Sequence, residues 1–223
     1  MIAILFDIDG TLLASGGAGK AALELAFTEI FNLPLREPIP YSGRTDRAIA
    51  HDMLRLNGVA DSAENFQKLL AGYLDRLPDS LNRHDGKVLP GIVALLQELQ
   101  DRQNVAIGLL TGNIRAGAQV KLGHFQLFDH FAFGGFGDHH FDRDDVAREA
   151  LAAVHVHVGT HVTPERVWVI GDTPLDVRCA RAIGAKVLAV ATGLHTFEQL
   201  QATAPELTLS DLSDPAPFLA LLP

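Results

Sequence analysis

Two short apolar runs, far apart in the chain, each stop at an acidic cluster, and together they narrow the folds open to this sequence. Ile2-Ala3-Ile4-Leu5 leads into Phe6-Asp7-Ile8-Asp9-Gly10-Thr11-Leu12, and Val167-Trp168-Val169-Ile170 leads into Gly171-Asp172-Thr173-Pro174-Leu175-Asp176. Each run is short, rich in β-branched residues and broken by a glycine turn, the pattern of a strand buried on both faces. Acidic side chains at the ends of buried parallel strands stand where open α/β sheets bind ligands. Carboxylates crowded there repel one another and are costly to desolvate unless a cation sits among them. Magnesium, a hard cation that prefers oxygen ligands, suits such a place. The pattern points to metal-dependent phosphate chemistry.

Between these runs, strand-like and helix-like segments alternate. Val105 to Leu110, Phe131-Ala132-Phe133 running into Gly134-Gly135, and Lys186 to Val190 read as further strands. Ile92, Val93, Leu95, Leu96 and Leu99 mark an amphipathic helix with Pro90 near its first turn. Further helices are expected over Ile114–Leu122, Asp144–Val154 and Asp176–Ile183, the last closed by Gly184. Thr196 and Gln199 have the spacing of a capping box. This alternation implies a parallel sheet with helices on both faces, a Rossmann-like α/β core. One segment departs from it. From about Gly16 to Lys87 only helical faces repeat: Leu23, Phe27, Ile30 and Phe31; then Ile49, Met53 and Leu56; then Phe66, Leu69, Leu70 and Tyr73. Gly16-Gly17-Ala18-Gly19 precedes it and Asp85-Gly86 closes it, as a mobile insertion needs. The expected division is a core of residues 1–15 and 88–223 and an all-helical cap of residues 16–87.

Composition excludes several roles. A formal net charge of −9 with no basic run argues against nucleic acid as an obligate partner. The apolar stretch Ile2 to Phe6 is too short for a signal peptide or membrane span, and no other segment approaches that length. The lone cysteine, Cys179, cannot form an intrachain disulfide and reads as a small buried packing residue. A cytoplasmic protein without membrane partners is expected.

Side chains two apart on an extended chain point the same way, so Asp7 and Asp9 can face one reaction centre. A carboxylate can attack phosphorus to give an aspartyl-phosphate. Its neighbour can protonate the leaving alkoxide and later deprotonate the water that cleaves the intermediate. The competing reading of Asp-x-Asp-Gly, a calcium loop, needs further acidic ligands and a later glutamate. Thr11-Leu12-Leu13 does not supply them.

The sequence Asp7-Ile8-Asp9-Gly10-Thr11-Leu12-Leu13 resembles the first motif of the haloacid dehalogenase-like superfamily. Leu110-Thr111-Gly112-Asn113 resembles its second and Gly171 to Asp176 its fourth, in the right order across nearly the whole chain. The position and size of the insertion resemble the phosphoglycolate phosphatase-like branch. The resemblance implies that Asp7 is the nucleophile and Asp9 the acid/base. Thr111, Gly112 and Asn113 would hold the phosphoryl oxygens. Magnesium would be bound by Asp7, the main-chain oxygen of Asp9 and Asp172, with Asp176 in or just behind that shell. The lysine expected in the third motif is missing. Lys121 falls too early, and Arg143 is better placed; it either takes the lysine's part in phosphate binding or pairs at the surface with Asp142, Asp144 or Asp145. The implied activity is hydrolysis of a small phosphomonoester (phosphoglycolate, a sugar phosphate or a nucleotide) by a monomer or small homo-oligomer. A phosphomutase of the β-phosphoglucomutase type and a non-catalytic binding protein on the same fold are the alternatives. Asp9 and the acidic fourth motif point away from carbon–halogen cleavage, in which halide leaves without a proton.

Other features allow two readings. Arg44, in Ser42-Gly43-Arg44-Thr45-Asp46, either reaches the substrate from the cap or is solvated beside a helix start capped by Thr45 or Asp46. Lys20 at the hinge is a second specificity candidate. The histidines at 139, 140, 155, 157 and 161 lack the partners and spacing of a zinc motif. Gly134-Gly135-Phe136-Gly137 lacks the Lys-Ser/Thr of a nucleotide P-loop and suits close approach of the chain to the site.

Overall fold

A computed structural model describes all 223 residues. In chain order the elements are β1 (Ile2–Phe6), β2 (Leu13–Ala14), α1 (Ala18–Phe31), α2 (Asp46–Leu56), α3 (Ala63–Arg83), β3 (Lys87–Val88), α4 (Ile92–Gln100), β4 (Val105–Leu110), α5 (Arg115–His124), β5 (Gly134–Gly135), α6 (Arg143–His157), β6 (Val167–Gly171), α7 (Pro174–Ala182), β7 (Lys186–Val190), α8 (Phe197–Gln201), β8 (Leu207–Leu209) and α9 (Ala216–Leu219). The main sheet has the order β5-β4-β1-β6-β7-β8, and all of its pairings are parallel. β1 lies between β4 and β6, with Phe6 paired to both Leu109 and Ile170.

Strand periodicity explains the two cores. Ile2, Ile4 and Phe6 point to one face and join α4, α5, Trp168 and Ile170. Ala3 and Leu5 point to the other, with Val167, Val169 and residues of α6 and α7. Every residue of β1 and β6 is buried, which is why both runs are apolar without alternation. Helices α1–α3 enclose a third cluster, including Leu23, Phe27, Met53, Leu69 and Tyr73, to which the core contributes Ile114. This insertion leaves after β1 and returns through a short antiparallel pair, Leu13 with Val88 and Ala14 with Lys87. Gly16 and Gly17 follow that pair at φ 63° and 88°, conformations open to glycine.

Several expected elements form as read. Thr196 and Gln199 make the reciprocal capping box at α8, and Thr173 with Asp176 makes another at α7. Gly184 turns the chain after α7 at φ 71°. The strand expected at Phe131–Phe133 forms one step later, at Gly134–Gly135. The cause is steric: α6 crosses so closely that a Cβ on Gly135 would lie 2.4 Å from the Val146 carbonyl oxygen. The edge strand is thus placed where side chains are absent, and propensity for bulky residues does not decide it. β8 has no counterpart among the expected strands; its three residues are only half-buried and carry a weak apolar signal.

Candidate active site

Asp7 immediately follows β1 and Asp172 immediately follows β6, so the parallel pairing of those strands brings residues from opposite ends of the chain together. The Asp7 amide donates to the Ile170 carbonyl at 3.0 Å, which locks the two strand ends. Carboxylate oxygens of Asp7, Asp172 and Asp176 all lie within 4.8 Å of one another, and all three residues are buried. Burial, then the charges of Asp176 and Asp9, raise the Asp7 carboxyl above the usual carboxylate range, although Arg143 opposes them. Asp172 is raised by burial and by Asp176 and Asp7. Such a cluster binds protons or a cation.

The donor set fits a hard divalent ion. Asp172 accepts from the Thr11 hydroxyl through Oδ1 at 3.2 Å, and its Oδ2 lies in a cradle that side chains would fill. A Cβ on Gly10 would come within 2.4 Å of that oxygen and one on Gly193 within 1.7 Å. Gly10 also has φ 86°. Asp176 is differently engaged: one oxygen meets Arg143, and the other accepts from the amide and hydroxyl of Thr173. It stands behind Asp7 and Asp172 and anchors α7.

Arg143 opens α6, buried, with Nη2 bonded to Asp176 and 3.3 Å from Asp7 Oδ1. It is not the surface residue of the competing reading; Asp142 and Asp144 pair with Arg178, and Asp145 with Arg148. Its Nε has no protein partner.

Above this floor lies a second constellation. Asp9 Oδ2 accepts from Lys121 Nζ at 2.6 Å and from Asn113 Nδ2 at 2.9 Å. Burial opposes ionisation of Asp9, but Lys121 and Asn113 outweigh it and hold its carboxyl below the usual range. Asn113 Nδ2 also donates to Thr111 Oγ1 at 2.9 Å, so the second-motif side chains are already oriented. Gly112 meets the cap directly: its carbonyl accepts from the Asp46 amide at 2.7 Å, and a Cβ there would strike the Arg44 carbonyl at 2.1 Å.

Lys121 is the residue that motif spacing set aside and that the structure brings in. It is buried on α5 with Gly117, Ala118 and Leu122. Burial disfavours its charge, but Asp9, Tyr73 and Asp46 outweigh that and keep it protonated. A lysine sharing a helix face with those small and apolar residues was the available signal. The sequence offers both Thr45 and Asp46 as caps of α2. Thr45 takes that role, accepting from the Ala48 amide, while Asp46 Oδ2 accepts from the Ile114 amide across the cap–core boundary at 2.9 Å. Burial, partly offset by Lys121, pushes the Asp46 carboxyl up to about 6.

The two specificity candidates differ. The Arg44 guanidinium turns to Asp52 at 2.7 Å and to the Pro40 carbonyl, so its charge is engaged within the cap. Lys20 is exposed, 3.8 Å from Glu24 and 5.5 Å above the Tyr41 ring. Both border a cavity of about 510 Å³ that also contains Asp7, Asp9, Asn113, Lys121, Arg143 and Asp172.

A family model for haloacid dehalogenase-like hydrolases matches residues 4–190. The chain belongs to this family. It is 27% identical to a phosphoglycolate phosphatase of Synechococcus elongatus, over 96% of this chain and 95% of that protein. It is 25% identical to the pyrophosphatase PpaX of Oceanobacillus iheyensis, over 95% and 93%. A predicted phosphoglycolate phosphatase from Haemophilus somnus superposes with a TM-score of 0.75 at 16% identity, over 98% of each chain. CbbY of Rhodobacter sphaeroides, solved with phosphate, gives 0.75 at 18% identity over 96% of each. These likenesses support the fold; no helix here is long and apolar enough to cross a membrane.

Proposed function

We propose that this protein hydrolyses a small phosphomonoester with magnesium, through an aspartyl-phosphate (an acyl phosphate) on Asp7. The chain is a phosphoric monoester hydrolase by family and relatives; the proposal concerns how its residues act. The observation that carries it is the convergence of buried Asp7, Asp172 and Asp176 at the carboxyl ends of adjacent parallel strands, beside Asp9 in one cavity.

Asp7 attacks phosphorus as the bond to the leaving oxygen breaks, and Asp9 gives that oxygen a proton. Asp9 then takes a proton from water, which attacks the phospho-Asp7 and releases phosphate. At rest Lys121 and Asn113 hold Asp9 ionised, the form that serves the second step; for the first it must gain a proton and loosen from Lys121. Asp7, Asp172 and the main-chain oxygen of Asp9 would hold magnesium, which neutralises charge between the nucleophile and the phosphate. Asp176 fixes Arg143 beside Asp7, where the guanidinium faces the incoming phosphoryl group. Thr111, Gly112 and Asn113 would hold the phosphoryl oxygens; Gly112 and Asn113 line the cavity, and the Thr111 hydroxyl accepts from the Asn113 amide. The cap of residues 16–87 opens about Gly16 and Gly17 to admit substrate. We place the protein in the cytoplasm, where a reducing medium suits its single free thiol, Cys179.

A phosphorylated-metabolite panel with magnesium tests this. Phosphate release that chelation abolishes and Asp7→Asn lacks is expected; undiminished turnover by Asp7→Asn contradicts it. Product analysis with a sugar bisphosphate activator separates hydrolysis from phosphoryl transfer within a sugar.

A further inference from the structure

The cavity that reaches from Asp7 into the cap is larger than an alcohol such as glycolate needs. At about 510 Å³ it falls in the range that holds a drug-sized ligand. Toward the cap its walls are Leu23, Tyr41, Ile49, Tyr73 and, at the rim, Leu194. These are ring and branched surfaces, suited to an apolar or aromatic face.

Charge sharpens the picture. A substrate bearing a carboxylate needs an unengaged cation near the phosphate. Lys121 is bonded to Asp9, Arg143 lies between Asp176 and Asp7, and Arg44 is held by Asp52. Lys20 is solvated at the rim with Glu24 beside it. Asp46, by contrast, presents a carboxylate to the same cavity: Oδ2 is held by the Ile114 amide, and Oδ1 has no protein donor.

Resting on the phosphatase reading above, we propose that the cap chamber selects an uncharged, ring-bearing leaving alcohol with a hydrogen-bond donor for Asp46, and that Asp46 disfavours alcohols carrying a carboxylate. A donor hydroxyl completes the Asp46 oxygen at no electrostatic cost, whereas a carboxylate meets like charge in a partly desolvated space. Asp46 and the tyrosine-lined wall are then specificity determinants, not reacting groups.

The test is kcat/KM with magnesium for phosphoglycolate, 2-hydroxyethyl phosphate and 4-(hydroxymethyl)benzyl phosphate. The ring ester should be preferred over phosphoglycolate by about tenfold or more, with 2-hydroxyethyl phosphate between them. Asp46→Asn, which keeps an acceptor for the Ile114 amide, should raise kcat/KM for phosphoglycolate relative to 2-hydroxyethyl phosphate. Equal or preferred use of phosphoglycolate by the wild type overturns the inference while leaving the phosphatase reading intact, and so does an unchanged ratio in Asp46→Asn. Absence of magnesium-dependent release from all three esters also overturns the inference; the phosphatase reading falls with it only if the metabolite panel is silent as well.

Discussion

Asp7 and Asp9 stand two positions apart at one strand end, yet the two halves of the cavity treat them in opposite ways. The floor buries Asp7 among Asp172 and Asp176 with Arg143 as the nearby counter-charge, and its carboxyl is raised. The upper half gives Asp9 a bonded lysine and an amide, and its carboxyl is lowered. The floor therefore has an excess of negative charge that a dication relieves; above it, the charge of Asp9 is already offset by Lys121. The same residue type serves two tasks because its surroundings differ.

Replacement of Asp172 should break the floor most completely. Asp172→Asn is expected to lower magnesium-dependent kcat/KM by about a thousandfold or more. In metal-free buffer the same change should raise the thermal midpoint, since it removes a buried like charge; a fall in both would deny the crowding. Next in size, Arg143→Ala leaves Asp176 and Asp7 without their counter-ion. Loss of one partner of a buried pair costs about 3–5 kcal/mol, measurable by denaturant unfolding. A change near zero would mean that Arg143 does not compensate the floor.

The upper half is tested by Lys121→Met. Without the ammonium, Asp9 should titrate at higher pH, so the acid limb of kcat, which needs ionised Asp9 to activate water, moves up and kcat at neutral pH falls by roughly ten- to a hundredfold. An unmoved limb would separate Lys121 from Asp9. The smallest effect belongs to Asp46. Its carboxyl titrates near 3.8 when unperturbed and at about 6 in the folded chain, so the folded state holds the proton more tightly. Stability from this group is full below about pH 4 and is lost as pH rises through 6. Asp46→Asn should flatten that slope, by on the order of 1 kcal/mol.

This contrast also marks what the sequence made legible. The floor was readable because strand periodicity and a glycine turn fix where an aspartate at a strand end must stand, whatever the loops do. Asp7, Asp9 and Asp172 thus came directly from pattern, and so did the helices that bury Leu95, Ala118 or Val146. The upper half depends on how α2, α3 and α5 dock, and docking leaves no local pattern. Tyr73 read as one more apolar position of a helix, although it borders the cavity. Motif spacing places Lys121 too early, because a helix face shows which side is buried but not what it is buried against. Arg44 illustrates the reverse: a cation near the site by sequence, engaged by Asp52 eight residues on.

The most direct test follows the covalent step. Asp9→Asn should still accept phosphate on Asp7, or stall before it, and should not activate the water that removes it. Rapid acid quench with substrate and magnesium, followed by peptide mass spectrometry, should find a phosphoryl adduct on the peptide bearing Asp7, absent in Asp7→Asn. An adduct on another residue, or wild-type turnover by Asp9→Asn, would contradict the account.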